Sequence, residues 1–206
     1  PEQSSLPSNR VSCLYKDSRG IIWVGTLKGL AKYDVRTWLF TESEFTDVQF
    51  DGATLYTHRF NDGSVAVNTS KGMFLSDEFQ LEFRNIHFSN RGREMIPDCI
   101  LPMDEQDFLL GTEACFFRWK KGSNKLIELP IQSPNFYNIE VYQVKEMVYD
   151  EVQGTNGAWM AVLGYGLAFY SFDDGSFYQY IRDTKQPQSI GSNLTRRIDR
   201  DKNGNI

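Results

Sequence analysis

Cysteine and histidine are scarce in this 206-residue chain, with three of the first and two of the second. Three cysteines cannot all pair, so a disulfide-dense small scaffold is excluded. His58 and His87 cannot make a zinc site unaided, and Cys13, Cys99 and Cys115 show no close metal spacing. No run of apolar residues approaches the 18 or so that a membrane span needs. No basic start leads into an apolar core, so the signal-peptide pattern is missing as well. Basic residues number 22 against 27 acidic ones, a net charge of −5 that argues against nucleic acid as a partner. What the chain does have is aromatic side chains, 14% of the total, within an otherwise ordinary globular composition.

Its organisation comes from an internal repeat. Asp17 to Asp34 reads DSRGIIWVGTLKGLAKYD, and 43 residues on, Phe60 to Asp77 reads FNDGSVAVNTSKGMFLSD. Gly20 falls on Gly63, Thr26 on Thr69, Lys28 on Lys71 and Gly29 on Gly72. A further shift of 43 pairs Gly25-Thr26 with Gly111-Thr112, and one of 51 brings Gly157, Gly166-Leu167 and Tyr170 into line. Ser192 to Ile206 then repeats Ser8 to Ile22 at a distance of 184.

Every unit has the same grammar. The first reads as strands over Val11–Lys16, Ile21–Thr26, Leu30–Tyr33 and Thr37–Thr41, rich in β-branched and aromatic residues. Turn-formers separate them, and later units hold Asn61-Asp62-Gly63 and Asp173-Asp174-Gly175 in corresponding places. Leu167–Ile181 is the clearest hairpin. Its apolar residues are nearly consecutive, as in strands buried on both faces. No window offers a helical period. Four short antiparallel strands per unit of roughly 45 residues predict an all-β fold, a β-propeller with four-stranded antiparallel blades. A β-sandwich is the alternative, but it has no reason to repeat Gly, Thr and Gly-Leu at fixed offsets.

The units place blades at about 8–50, 51–93, 94–140 and 141–190, with the start of another at 191–206. The expectation is an incomplete ring of about four blades plus the start of a fifth. Such a piece exposes apolar blade faces, which predicts either marginal stability or pairing with a second copy as a homodimer.

Leu6 to Asp34, LPSNRVSCLYKDSRGIIWVGTLKGLAKYD, closely resembles the two-component regulator propeller repeat. That repeat runs small residue, Asn, hydrophobic, acidic-x-x-Gly, then apolar-Trp-apolar-Gly-Thr and Gly-Leu. Ser189–Ile206 looks like the start of another copy, while the middle units fit more loosely: Gln106 replaces the turn Gly and Val162 replaces the Gly before Thr. The resemblance implies the periplasmic sensor region of a hybrid two-component regulator, detecting oligosaccharides and signalling across a membrane to kinase parts. Partners would then be an oligosaccharide, the missing blades and the neighbouring domains. No phospho-acceptor helix surrounds either histidine, so any kinase activity lies outside these residues.

Catalysis and metal binding find little support. Asp199-x-Asp201-x-Asn203-Gly204 looks like the opening of a calcium loop, but a repeat hairpin turn explains it equally well. No strained Gly-x-Ser-x-Gly nucleophile turn is present. The expectation is no catalytic residue, no metal and no cofactor, with a carbohydrate-active propeller enzyme as the rival reading. Cys13 and Cys99 occupy one slot two blades apart and read as core filling, with a bridge between them as the alternative. Trp23, Trp119, Trp159 and Phe169 occupy repeat positions and read as blade-to-blade core. Pro130–Glu140 lies outside the repeat pattern and supplies Phe136 and Tyr137. If the first strand is innermost, this connection shares a rim with the second-to-third turns, which carry Lys28, Lys71 and Tyr165. Aromatic rings beside hydrogen-bonding groups suit a sugar, which has apolar C–H faces and polar edges. These five residues are the candidate ligand contacts; an interface to a neighbouring domain is the alternative.

Overall fold

A computed structural model describes residues 6–17, 19–42, 53–77, 82–113, 115–132 and 143–206. The described residues hold strands and turns but no helix, so none is long and apolar enough to cross a membrane. Four sheets have four strands each, in chain order and with antiparallel neighbours. Blade one is β1 (Val11–Lys16), β2 (Ile21–Thr26), β3 (Gly29–Asp34) and β4 (Leu39–Glu42). Blade two is β5 (Thr54–Arg59), β6 (Val65–Thr69), β7 (Gly72–Ser76) and β8 (Phe83–Ile86). A short hairpin follows, β9 (Phe88–Asn90) and β10 (Arg93–Met95). Blade three is β11 (Pro97–Pro102), β12 (Asp107–Thr112), β13 (Phe116–Lys120) and β14 (Leu126–Ile127). Blade four is β15 (Val144–Val152), β16 (Thr155–Val162), β17 (Gly166–Ser171) and β18 (Phe177–Tyr180).

The chain divides into two units, Pro1–Phe88 and Ser89–Ile206. In the first, Trp23 and Leu30 of blade one pack with Val65, Val67, Phe74 and Phe83 of blade two, so the core is a seam between sheets. Every residue of β6 and β7 is buried, which is why their apolar residues run consecutively instead of alternating. In the second, Phe116 of blade three stands 4.9 Å from the ring of Tyr170 and stacks on Phe177 at 6.2 Å.

The first strands of successive blades lie side by side within each unit. The Ser12 hydroxyl donates to the Thr54 carbonyl, joining β1 to β5. The Cys99 thiol donates to the Val144 carbonyl at 3.7 Å, joining β11 to β15. A register shift falls in one slot of all four first strands, at Val11/Cys13, Thr54/Tyr56, Pro97/Cys99 and Val144/Glu146. A bulge there bends the strand locally.

Two details differ from the sequence reading. The fourth strand of blade one begins at Leu39 and not Thr37, because the amides of Thr37 and Trp38 both bond back to the Asp34 carbonyl. The β9–β10 hairpin has no counterpart in the repeat pattern. Arg91 and Gly92 turn it with φ of 51° and 79°, a pair of positive values that Arg-Gly does not advertise as Asn-Gly would.

Candidate ligand turns and the seams that position them

Lys28 and Lys71 are exposed in the β2–β3 and β6–β7 turns, and Tyr165 is half-buried in the β16–β17 turn. All three occupy the same turn of their own blades. Phe136 and Tyr137 lie outside the described residues.

The Gly-Thr motif builds these turns. The Thr26 hydroxyl donates to the Gly29 carbonyl at 2.8 Å and accepts the Lys28 amide at 3.2 Å. Thr69 does the same with Gly72 at 3.0 Å and Lys71 at 3.0 Å, and Thr112 donates to the Cys115 carbonyl at 3.0 Å. All three threonines are fully buried, so each hydroxyl needs these partners. Gly29 and Gly72 have φ of 144° and 132°, and Cys115 follows them at 156°. Gly25 is small for a different reason: a Cβ there would stand 2.8 Å from Thr54 Cγ2 of the next blade. At Gly111 it would meet Cys99 Sγ at 2.5 Å and Val144 Cγ1 at 2.9 Å.

A second device ties blade to blade. The Trp23 indole N–H donates to Asp17 Oδ2 at 3.4 Å, and Arg59 of blade two approaches the same oxygen at 3.8 Å. In blade four the Trp159 indole donates to Asp150 Oδ2 at 3.1 Å, and Arg200 reaches Asp150 Oδ1 at 3.1 Å. Arg59 and Arg200 both stand where Lys16 stands in unit one, 43 and 184 residues on. Pairing of Tyr15 with Trp23 and of Val148 with Trp159 puts the two indoles in one slot, although their sequences align one residue apart. The β16–β17 turn causes that offset, with three residues between the paired Val162 and Gly166 where Thr26 and Gly29 have two. Burial of Asp17 alone would raise its pKa. Hydrogen bonds from Arg19, Trp23 and the Arg19 and Ile21 amides outweigh it and hold the carboxyl below its usual range. This bracket escaped the sequence reading, because Asp17, Trp23 and Arg59 lie in different strands and blades.

Trp23 and Trp119 are fully buried and Phe169 nearly so, whereas Trp159 is only half-buried. None of the three cysteines is in a disulfide, so the alternative bridge between Cys13 and Cys99 is not formed. Asp201 reproduces the Asp17 turn: its Oδ1 accepts the Asn203 and Asn205 amides as Asp17 Oδ1 accepts those of Arg19 and Ile21. Its carboxylate is thereby spent on a hairpin turn. Among the described residues no cluster of His, Cys, Asp and Glu could hold a metal ion.

The family model described as "Two component regulator propeller" matches residues 5–28. No curated protein matches the chain. Two solved structures of the extracellular domain of BT4673 from B. thetaiotaomicron share the fold, one described as from a one component system and the other as from a hybrid two component system. The first has a TM-score of 0.77 at 18% identity, covering 99% of this chain and 26% of that one. The second has a TM-score of 0.72 at 18% identity, covering 94% and 25%. This chain therefore spans about a quarter of the length of either structure. Residues 5–28 match the repeat of that model, and the four-stranded sheets have the fold of β-propeller blades.

Proposed function

We propose that this chain is a ligand-sensing propeller segment from the periplasmic part of a hybrid two-component receptor, with an oligosaccharide as its signal. The match of residues 5–28 to the regulator propeller repeat carries the reading. It is supported by the likeness in fold to extracellular domains of bacterial signalling systems. The segment does no chemistry of its own, and kinase activity belongs to other parts of the receptor. Binding free energy would shift a conformational equilibrium that the neighbouring domains pass on. Lys28, Lys71 and Tyr165, with Phe136 and Tyr137 of the connection before blade four, are the proposed contacts.

A scaffold reading stands beside it, in which these blades space or dimerise the receptor and ligand binds elsewhere. Thermal melting of the receptor's extracytoplasmic region against a panel of oligosaccharides separates the two. A sugar at 100 times its dissociation constant adds about 2.7 kcal/mol to native stability. One sugar class raising the midpoint supports the sensor, provided that Phe136→Ala with Tyr137→Ala abolishes the shift. A shift that survives both substitutions, or silence across the panel, favours the scaffold.

A further inference from the structure

The half-buried Lys32 of β3 holds its ammonium 4.8 Å from the centre of the Trp23 indole ring. Among the described residues it has no hydrogen bond and no ion pair. Blade three treats the same slot differently. Arg118 stands there, 86 residues on, and pairs with Asp107 at 2.6 Å. The slot of Asp107 is filled in blade one by Ile21, which carries no charge. Lys32 is thus left with an aromatic face where its counterpart has a carboxylate.

The surroundings favour the neutral amine. Burial lowers the pKa of Lys32, and the Arg19 guanidinium lowers it further. Asp17 and Asp77 act the other way, and more weakly. Asp17 is already committed, since Arg19 and the Trp23 indole donate to its Oδ2 and Arg59 stands 3.8 Å away. Thr41 pairs with Lys32 on β4 and adds an exposed residue with a hydroxyl to the same face. Trp23 has no exposure and packs against Val65, Val67 and Phe74, so the space beside the ammonium suits a small molecule.

The geometry points to Lys32 as a covalent capture site for a small hydroxyaldehyde, held as an imine. An amine that is partly desolvated and stands beside a second cation is a nucleophile at neutral pH. Neutral Nζ adds to the aldehyde carbon, and the carbinolamine then loses the carbonyl oxygen as water with both amine hydrogens. Amine and aldehyde give imine and water, no oxidant or reductant is consumed, and hydrolysis reverses the step. Thr41 offers its hydroxyl to those of the ligand, which favours a hydroxyaldehyde over an apolar one. An anion suits the place less well, because the carboxylates of Asp17 and Asp77 already act on the same ammonium.

The test incubates the full chain with D-glyceraldehyde and sodium cyanoborohydride, which reduces an imine to a stable amine, and reads each lysine by peptide mass spectrometry. At pH 7 Lys32 is labelled several-fold faster than Lys28 and Lys71, which are exposed in their turns. Its lead narrows towards about pH 11, where ordinary lysines are neutral as well. Ile21→Asp supplies the carboxylate that Asp107 gives Arg118, and it removes the lead. Arg19→Gln takes away the neighbouring cation, shrinks the lead too, and serves if Ile21→Asp does not fold. Propanal in place of glyceraldehyde gives a smaller lead. Labelling of Lys32 no faster than that of Lys28 and Lys71 overturns the proposal. So does a lead that persists at pH 11 or in both variants, which would report access alone, and an equal lead with propanal removes the hydroxyaldehyde from it.

Discussion

The Thr195 hydroxyl donates to the Gly166 carbonyl, and through that bond a residue of one repeat unit completes a turn in the unit before it. Elsewhere the turn is closed from within, by Thr26, Thr69 or Thr112. In blade four the strand pairing puts Val162 in that slot and not in the slot of the preceding Gly where the sequence alignment set it, and valine has no hydroxyl to offer. Thr195 stands 184 residues after Val11, next to the isolated bridge between Leu194 and Leu163 of blade four, and its hydroxyl also lies 3.1 Å from the Val162 carbonyl.

The borrowed bond gives a double-mutant cycle. Thr195→Val loses its two acceptors and costs about 0.5–1.5 kcal/mol. Val162→Thr restores a hydroxyl inside blade four, so it recovers much of that loss in the double variant while adding little alone. Urea unfolding of the four proteins measures the coupling. Additive effects would mean that Thr195 does not stand in for the missing threonine.

Gly111→Ala places a methyl 2.5 Å from Cys99 Sγ and 2.9 Å from Val144 Cγ1. Overpacking of this kind costs about 1–3 kcal/mol. Cys99→Ala removes the sulfur and relieves part of the clash, so the pair of changes is less destabilising than the sum of the two. Thermal melts of single and double variants test this.

Asp17 sets an acid limb. Its folded pKa lies below its ordinary value, so its contribution is present above the unfolded pKa of about 3.9 and is lost as pH falls through the folded value. Asp17→Asn keeps the shape but loses the charge, and it is expected to be clearly less stable than the parent at pH 7. The gap narrows towards pH 3 and below, as read from urea midpoints across pH. A constant gap would assign the loss to packing alone.

Burial pushes the Cys115 thiol up to about 12 and moves Cys99 in the same direction. Neither thiol forms an attacking thiolate at neutral pH. Alkylation by iodoacetamide at pH 8 therefore spares both in the native protein and reaches them only after unfolding. Mass spectrometry of peptides from native and urea-treated samples reads the difference.

The β15–β16 hairpin turns at Gln153-Gly154 with φ of 52° and 80°. Asparagine tolerates such a conformation better than glutamine, and Asn-Gly is the preferred pair for this turn. Gln153→Asn is expected to raise stability by about 0.5–1 kcal/mol, read as a higher melting midpoint. A lower midpoint would show that the Gln153 side chain contributes more than the backbone gains.

The period, the strand type and the turns were legible in the residues themselves. Hairpins answer to near neighbours, so Asp-x-x-Gly, Gly-Thr and Lys-Gly mark their turns wherever they occur, and consecutive apolar residues announce sheets covered on both faces. Asp201 is the clearest case, since its Oδ1 accepts the amides two and four residues on as Asp17 Oδ1 does. The seams were not legible. Arg59 meets Asp17, and Thr195 meets Gly166, only because one sheet stacks on the next, and those partners are 42 and 29 residues apart. The one-residue offset of Trp159 misled the alignment for a local reason, since the β16–β17 turn has one residue more than the β2–β3 turn and strand pairing decides which slot an indole fills. Local grammar made the blades; stacking decided which glycine, threonine and arginine each seam requires.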